Sequence, residues 1–355
     1  MIASASMAIN SDVRNLATWY GENKRELPWR ENRDPYRIWI AETMLQQTTT
    51  TAVIPYFERF LRRFPTLKDL AKAEEGEVFE QWSGLGYYSR ARNLLRAARQ
   101  LQGLGEFPRD YRRLLELPGF GPYTARSVAS LAFGQAVGVV DGNVIRVLSR
   151  YFAKNWDWWR AKVRDEIQEI ADAWAQSGNP YEVNQGLMEL GRTICLPRSP
   201  HCLICPLRSG CQALAKAKPE AFPKPKPRRE KEVWLWQVEV HERAGQVCLL
   251  KNPEVPFLKK QWTLPGSARQ LSAAPDRYDF RHSITHHDIF VTIEKPKSKL
   301  SHLEKVWVRH DEVAKHAPAS LVQKALRAWR DSRSAPRLRQ SAAKVSRRST
   351  RPNLR

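Results

Sequence analysis

Long apolar runs are missing from this 355-residue chain, cysteine is scarce, and acidic side chains are outnumbered by basic ones. No uninterrupted apolar stretch reaches the roughly 20 residues a membrane-crossing helix needs, so no membrane association is expected. Residues 1–14 lack a basic start followed by an apolar core and do not read as a secretory leader. Five cysteines are too few, and too unevenly spread, for a disulfide scaffold. No Gly-rich nicotinamide or flavin fingerprint occurs, which argues against electron transfer through those cofactors. What the chain does have is positive charge: 59 Lys and Arg against 37 Asp and Glu, a formal net charge of +22. A surplus of that size attracts polyanions, nucleic acid foremost. With 42% hydrophobic residues there is enough apolar content for about two cores, and wholesale disorder is excluded.

Along the chain, apolar residues recur at helical spacing from Val13 to about Ala215, as in 39–45, 91–101 and 161–174. Residues 214–231 break this pattern with four prolines, seven basic and two acidic residues, and read as a stiff, extended, cationic linker. Beyond it, 232–240 alternates at strand period, with 246–250 expected as its hairpin partner. Further strands are expected at 289–293 and 304–308, and a helix at 318–330. From Arg330 onward there are nine basic residues and one acidic, which predicts a disordered tail over 331–355. The expected organisation is a helical domain (1–213), the linker (214–231) and an α+β domain (232–330).

Four cysteines fall within seventeen residues: Cys195, Cys202, Cys205 and Cys211. Four soft thiolates in one loop suit tetrahedral zinc or an iron–sulfur cluster. Arg198, His201 and Arg208 make the same loop cationic. Cys248, alone in an apolar run, reads as a buried hydrophobe. Upstream, Leu114-Leu-Glu-Leu-Pro-Gly119-Phe-Gly121-Pro-Tyr123-Thr-Ala125 sets two glycines before a helix start, where exposed backbone N–H groups favour an anion. Two carboxylates stand out. Asp141, between Val140 and Gly142 at a helix opening, reads as an N-cap. Glu42 lies on the apolar stretch Trp39-Ile-Ala-Glu-Thr-Met-Leu45, where burial would raise its pKa and let it donate a proton near neutrality.

The cysteine spacing (x6, x2, x5) and the glycine hairpin resemble the endonuclease III superfamily of DNA glycosylases. The segments Leu27-Pro-Trp-Arg30, Glu42-Thr-Met-Leu-Gln-Gln-Thr48, Gly84–Arg90 and Asn184–Gly191 narrow the resemblance, over 12–212, to the MutY-type adenine DNA glycosylases. The fold this implies is mainly α: a helix-hairpin-helix glycosylase with a [4Fe–4S] loop, followed by a C-terminal α+β Nudix-like domain. By the same resemblance Cys195, Cys202, Cys205 and Cys211 hold the cluster, and Gly119 and Gly121 grip a DNA backbone. Glu42 protonates adenine, Asp141 stabilises the cationic sugar, and Asn143 orients the site. Trp29, Arg30 and Leu45 line the base pocket. Gln46 faces DNA, and Gln47 with Tyr87 or Tyr88 wedges into the stack. Tyr123 stands where strand-cleaving relatives carry a lysine, which implies base removal by water, with Tyr123 supporting Glu42.

In the second domain, 261–266 and 280–288 match the Nudix-like pattern, with Thr285 and His286 in the loop that reads 8-oxoguanine and Ile284 in place of its aromatic residue. No carboxylate-rich Mg²⁺ helix occurs between 232 and 330, so nucleotide hydrolysis is not expected. Nor is zinc expected at His282, His286 and His287, which lack cysteine or carboxylate partners at ligand spacing. The implied partner is double-stranded DNA with A opposite 8-oxoguanine or guanine, bound by a monomer in the cytoplasm at the nucleoid. The rival expectations are a bifunctional endonuclease III-type lyase and a DNA-binding protein without chemistry.

Overall fold

The computed structural model of the chain describes residues 2–227, 230–252, 254–258, 261–297, 300, 304–317, 319–334 and 340–341. The chain divides into two units, Met1–Pro227 and Arg228–Arg355. The first is helical: α1 (Ile2–Asn23), α2 (Pro35–Leu45), α3 (Thr50–Arg63), α4 (Leu67–Lys72), α5 (Glu75–Trp82), α6 (Tyr88–Leu104), α7 (Tyr111–Leu115), α8 (Pro122–Phe133), α9 (Gly142–Tyr151), α10 (Ala161–Gln176), α11 (Pro180–Thr193) and α12 (Gln212–Ala215). Proline at the first position and a cap in front of it start α2 and α11. Asp34 accepts from the Tyr36 N–H, and Asn179 accepts from the Tyr181 and Glu182 N–H groups.

This unit has two cores. One gathers Trp39, Ile40, Met44, Phe57, Phe60, Trp82, Leu101 and Val128 from α2 to α8. The other joins Val13 and Leu16 of α1 to Leu148, Ile167, Trp174 and Leu187. The extended segment 135–141 runs between them and delivers Asp141. Asn184, fully buried on α11, fixes that segment. Its carbonyl oxygen accepts from the Val139 N–H at 2.8 Å, and its amide donates to the Ser130 hydroxyl at 2.8 Å and the Val137 carbonyl at 2.9 Å. Gly138 is required here because any Cβ would collide with the Ala171 backbone of α10.

The second unit holds β1 (Glu232–Glu239), β2 (Glu242–Arg243), β3 (Gln246–Lys251), β4 (Trp262–Thr263), β5 (Gly266–Leu271), β6 (Arg277–Tyr278), β7 (Phe280–Ile284), β8 (His287–Glu294), β9 (Lys305–Arg309), α13 (Val313–His316), α14 (Ser320–Ser334) and β10 (Gln340–Ser341). One sheet has the order β5-β1-β8-β7, with β1 and β8 parallel; in the other β3 lies between β2, β4 and β9. Trp236 and Val238 of β1 pack with Ile289, Val291, Leu321 and Leu326. Leu235, on the opposite face, packs with Tyr278 and Phe290.

Two expectations need correction. Residues 246–251 do not pair with β1. Ala244 and Gly245, both at positive φ, close the tight β2–β3 hairpin instead, while β1 is central and flanked by β5 and β8. The Lys-Pro segment, expected as a stiff, extended linker, has two anchors: Arg150 donates to the Phe222 carbonyl at 3.0 Å and Trp158 to the Lys224 carbonyl at 3.2 Å. The expected tail begins inside a helix that runs to Ser334, and Gln340–Ser341 pair with β6; the rest of that tail lies outside the described residues.

Substituting Asn184→Ala leaves an N–H, a carbonyl and a hydroxyl buried without their partner. The expected loss is about 2–4 kcal/mol in urea unfolding. An Asn184→Ala protein as stable as the parent would show that the 135–141 segment is held by something else.

Candidate active site

A cavity of about 350 Å³ opens between the two cores of the first unit, lined by Arg25, Leu27, Trp29, Arg30, Glu42, Leu45, Thr48, Tyr123, Asp141, Asn143, Gln185, Met188, Glu189 and Arg192 among others. Seven of the residues singled out from sequence meet there: Trp29, Arg30, Glu42, Leu45, Tyr123, Asp141 and Asn143. Each arrives by a local rule. Glu42 sits two turns into α2, whose other residues around it are core. Tyr123 is on the first turn of α8, whose Gly121 and Pro122 set the helix start. Asp141 caps α9, accepting from the Val144 N–H at 2.8 Å through one oxygen and from the Asn143 amide at 2.8 Å through the other. Trp29 is buried edge-on against Phe57 at 5.3 Å and serves as core and cavity wall together.

The electrostatics separate three carboxyl groups. Glu42 is 4% exposed, and burial raises its pKa against the pull of Tyr123, Ser127 and Arg30, with the Asp141 charge raising it further. The Tyr123 hydroxyl donates to Glu42 Oε2 at 2.7 Å. Asp141 is also raised by burial, but the Val144 N–H, the Asn143 donors and Arg146 oppose it. Glu189 behaves oppositely. Burial pushes it up, but Arg25 and Arg30 outweigh that and hold it below the usual carboxylate range. Arg25 Nε donates to Glu189 Oε1 at 2.5 Å, and Arg30 Nη2 donates to Glu189 Oε2 at 3.0 Å and to Gln185 Oε1 at 2.7 Å. The cavity therefore combines carboxyls biased toward the acid form with one held as an anion, an arrangement suited to proton transfer beside a developing charge.

Arg25, Gln185, Met188, Glu189 and Arg192 were not expected from sequence. The signal for Glu189 is the one that revealed Glu42, an acid inside the apolar run Leu187-Met-Glu-Leu190. Gly191, two residues further, matters by what it lacks, since a Cβ would lie 2.6 Å from the Asn143 Cβ.

Gln46, Gln47, Tyr87, Tyr88 and Gly119 lie outside this cavity. Gln46 donates to Thr124 Oγ1 at 3.1 Å and, with Gly119, lines a smaller neighbouring cavity. Gln47 and Tyr87 are exposed and both take positive φ, 61° and 51°. Tyr88 does not fit the expected wedge, being packed edge-on against Phe79 at 5.4 Å; Tyr87 is the exposed ring of the pair. Arg90 ties the two turns together. It donates to the carbonyls of Thr43 at 2.8 Å and Gln46 at 2.6 Å, which end α2, and to those of Leu85 and Gly86 at 3.4 Å. Gly119, at φ 81°, brings the hairpin within reach of Asn93, where a Cβ would lie 2.8 Å from the Asn93 Cβ; Gly121 has no such neighbour.

The four cysteines of the loop are unbridged and line one cavity with Ile194, Pro200 and Leu214. Burial raises the thiols of Cys202 and Cys211 and pushes Cys205 up to about 12, and the neighbouring sulfurs add to each shift. Four thiols on one cavity are a donor set that fits an iron–sulfur group or a single zinc ion. Arg150 donates to Cys195 Sγ at 3.4 Å and to the Leu196 carbonyl at 2.6 Å, and Arg146 to the Cys195 carbonyl at 2.8 Å. In the second unit Thr285, at φ 52°, and His286 form the exposed turn between β7 and β8.

Residues 40–175 match the HhH-GPD superfamily of base excision DNA repair proteins. The solved structure of a thermostable thymine-DNA glycosylase superposes with a TM-score of 0.55 and 30% identity, covering 60% of this chain and 99% of that one. The adenine DNA glycosylase of Rattus norvegicus is 45% identical over 211 residues, 56% of this chain and 41% of the rat protein. That of Buchnera aphidicola subsp. Schizaphis graminum is 32% identical over 254 residues, 71% of this chain and 73% of its own length. The chain belongs to the HhH-GPD superfamily and, within it, to the adenine DNA glycosylase family. It spans about two fifths of the length of the mammalian relatives it matches.

The raised Glu42 pKa has a sign that melting can read. The folded state holds the proton more tightly than the unfolded chain, so stability from this group is complete below about pH 4.3 and is lost as pH rises through the folded value. Glu42→Gln removes that dependence. Its melting temperature is expected to equal the parent's near pH 4 and to exceed it increasingly toward pH 8. A difference that stays constant or shrinks with pH would show that Glu42 is not raised by burial.

Proposed function

We propose that this protein is a monofunctional adenine DNA glycosylase of base-excision repair, acting as a monomer on adenine opposite 8-oxoguanine or guanine. The observation that carries this reading is the buried Glu42 carboxyl, held by the Tyr123 hydroxyl in a cavity that also presents Asp141. Glu42 in its acid form gives its proton to a ring nitrogen of the flipped adenine, which makes the base a leaving group. The C1′–N9 bond then breaks with its electron pair going to the base. Asp141, held by more donors than Glu42, keeps the negative charge that stabilises the oxocarbenium sugar. Water adds at C1′ and loses its proton to the Glu42 carboxylate. Trp29, Arg30 and Leu45 line the base pocket, and Asn143 holds Asp141. The cavity lining offers guanidinium groups but no lysine amine for a Schiff base, which supports hydrolysis without strand cleavage.

In this reading Gln47 and Tyr87, fixed by Arg90, enter the duplex stack, with Gln46 beside them and the N–H groups around Gly119 and Gly121 on the backbone. Cys195, Cys202, Cys205 and Cys211 would hold a [4Fe–4S] cluster, whose bonds when present would fix the cationic loop. The second unit would be a Nudix-like domain in which Thr285 and His286 read the opposing 8-oxoguanine.

Single-turnover adenine release from duplexes with A opposite 8-oxoguanine, G or T, each split with and without alkali, tests the proposal. Product that appears only after alkali, fastest opposite 8-oxoguanine, is expected, and Glu42→Gln should slow it by about 10²–10⁴-fold. Strand breaks without alkali would overturn monofunctional hydrolysis. Tight binding with no product from any duplex would leave a DNA-binding protein.

A further inference from the structure

Apart from the cysteine loop, the second unit brings together a different donor set. The parallel register places Glu232, first residue of β1, opposite His287, first residue of β8, and the Glu232 N–H donates to the His286 carbonyl at 2.9 Å. The positive φ of Thr285 turns the chain so that two consecutive histidines lie side by side, their ring centroids 4.1 Å apart. His286 Nε2 is 3.3 Å from Glu232 Oε1, and His287 Nε2 is 3.2 Å from Oε2. The three ligand atoms lie within 4.8 Å of one another. His282, which the sequence groups with these two, is elsewhere, 3.2 Å from the Lys324 amine.

We propose that Glu232, His286 and His287 form a binding site for one divalent late transition-metal ion of the zinc class. The spacing of the three ligand atoms fits a bridging ion. Ligands about 2.0–2.1 Å from a tetrahedral zinc ion are separated by about 3.3 Å, as these are. Tautomer chemistry agrees. The Thr285 hydroxyl donates to the Ile284 carbonyl at 2.7 Å, so its oxygen faces His286 Nδ1, 3.4 Å away, as an acceptor. That favours the proton on Nδ1 and turns the Nε2 lone pair toward the carboxylate, an opposition that a cation between them relieves. Trp234 Nε1 donates to Glu232 Oε2 at 3.0 Å and orients it, the support metal-binding carboxylates commonly have. Two imidazoles and one carboxylate select zinc-like ions over Mg²⁺ or Ca²⁺, which prefer oxygen throughout. Side-chain exposures of 16–37% leave an entry path and a fourth position for water.

An ion here would hold the β7–β8 turn to the start of β1. It would also occupy His286 Nε2 and so compete with reading of the opposing base; that consequence rests on the proposed function, whereas the ion site does not.

Full-length protein titrated with Zn²⁺ by calorimetry, and with Co²⁺ followed by its visible absorption, tests the site. The cysteine loop is common to every sample, so only differences between variants are read. The parent is expected to bind one equivalent more than Glu232→Gln or His287→Gln, each of which weakens that equivalent by about 100-fold or more. His282→Gln should match the parent. Two separate ligand variants, each checked by circular dichroism, keep misfolding of one from deciding the outcome. Parent-like stoichiometry and affinity in both would overturn the site, as would equal loss in His282→Gln.

Discussion

An ionisable carboxyl placed inside an apolar helix face is the constraint on which the first unit turns. Leaving Glu42 charged and unpartnered among Trp39, Ile40 and Met44 would cost several kcal/mol. The fold relieves that cost by keeping the group biased toward its acid form and by supplying the Tyr123 hydroxyl. It does not bury the carboxyl among hydrocarbon alone. Helices α8, α9 and α11 each send a polar side chain to the same cavity. Arg25 and Arg30 surround Glu189 with donors, and Gln185 accepts from Arg30, so the two buried glutamates of one cavity are driven in opposite directions. Removing either partner of such a pair strands a buried charge, which makes the network costly to alter piecemeal.

Helix α9 carries the second constraint. At its start Asp141 does two jobs with one carboxylate, satisfying the orphan N–H of Val144 and facing the cavity beside Glu42. One turn later Arg146 bridges Asn143 to the carbonyls of Gly191 and Cys195. Near its end Arg150 reaches Cys195, Leu196, Pro197 and Phe222. The cysteine loop and the carboxylate beside Glu42 are thus attached to opposite ends of one short rod. Through α9 the loop is linked to Asp141, which would give the proposed cluster a structural role in chemistry that needs no electrons.

Much of this was legible in the sequence because each signal was local. An acid inside an apolar run, an aspartate before Gly-Asn at a helix start and four closely spaced cysteines each carry their physics within a few residues. What was illegible depends on distance. Arg25 and Glu189 are 164 positions apart, and neither has an unusual neighbourhood until the fold joins them. Strand period identified β1 and β3 as strands but says nothing of partners, so their pairing was misassigned. Composition marked 214–231 as a linker but could not show that Arg150 and Trp158 anchor Phe222 and Lys224. The Tyr87–Tyr88 pair looked equivalent until backbone geometry exposed one ring and packed the other. His286 and His287 lacked a carboxylate partner in sequence because Glu232 lies more than fifty residues away, joined only by strand register.

The measurement that bears most directly on the central claim is the pH dependence of single-turnover adenine release by the parent. If a buried, proton-bearing Glu42 drives departure of the base, the rate is flat at low pH and falls as pH rises through one ionisation above the usual carboxylate range. The residual rate of Glu42→Gln lacks that ionisation. A parent rate that is independent of pH, or that rises with it, would mean that Glu42 works as an anion and does not deliver the proton on which departure of the base depends.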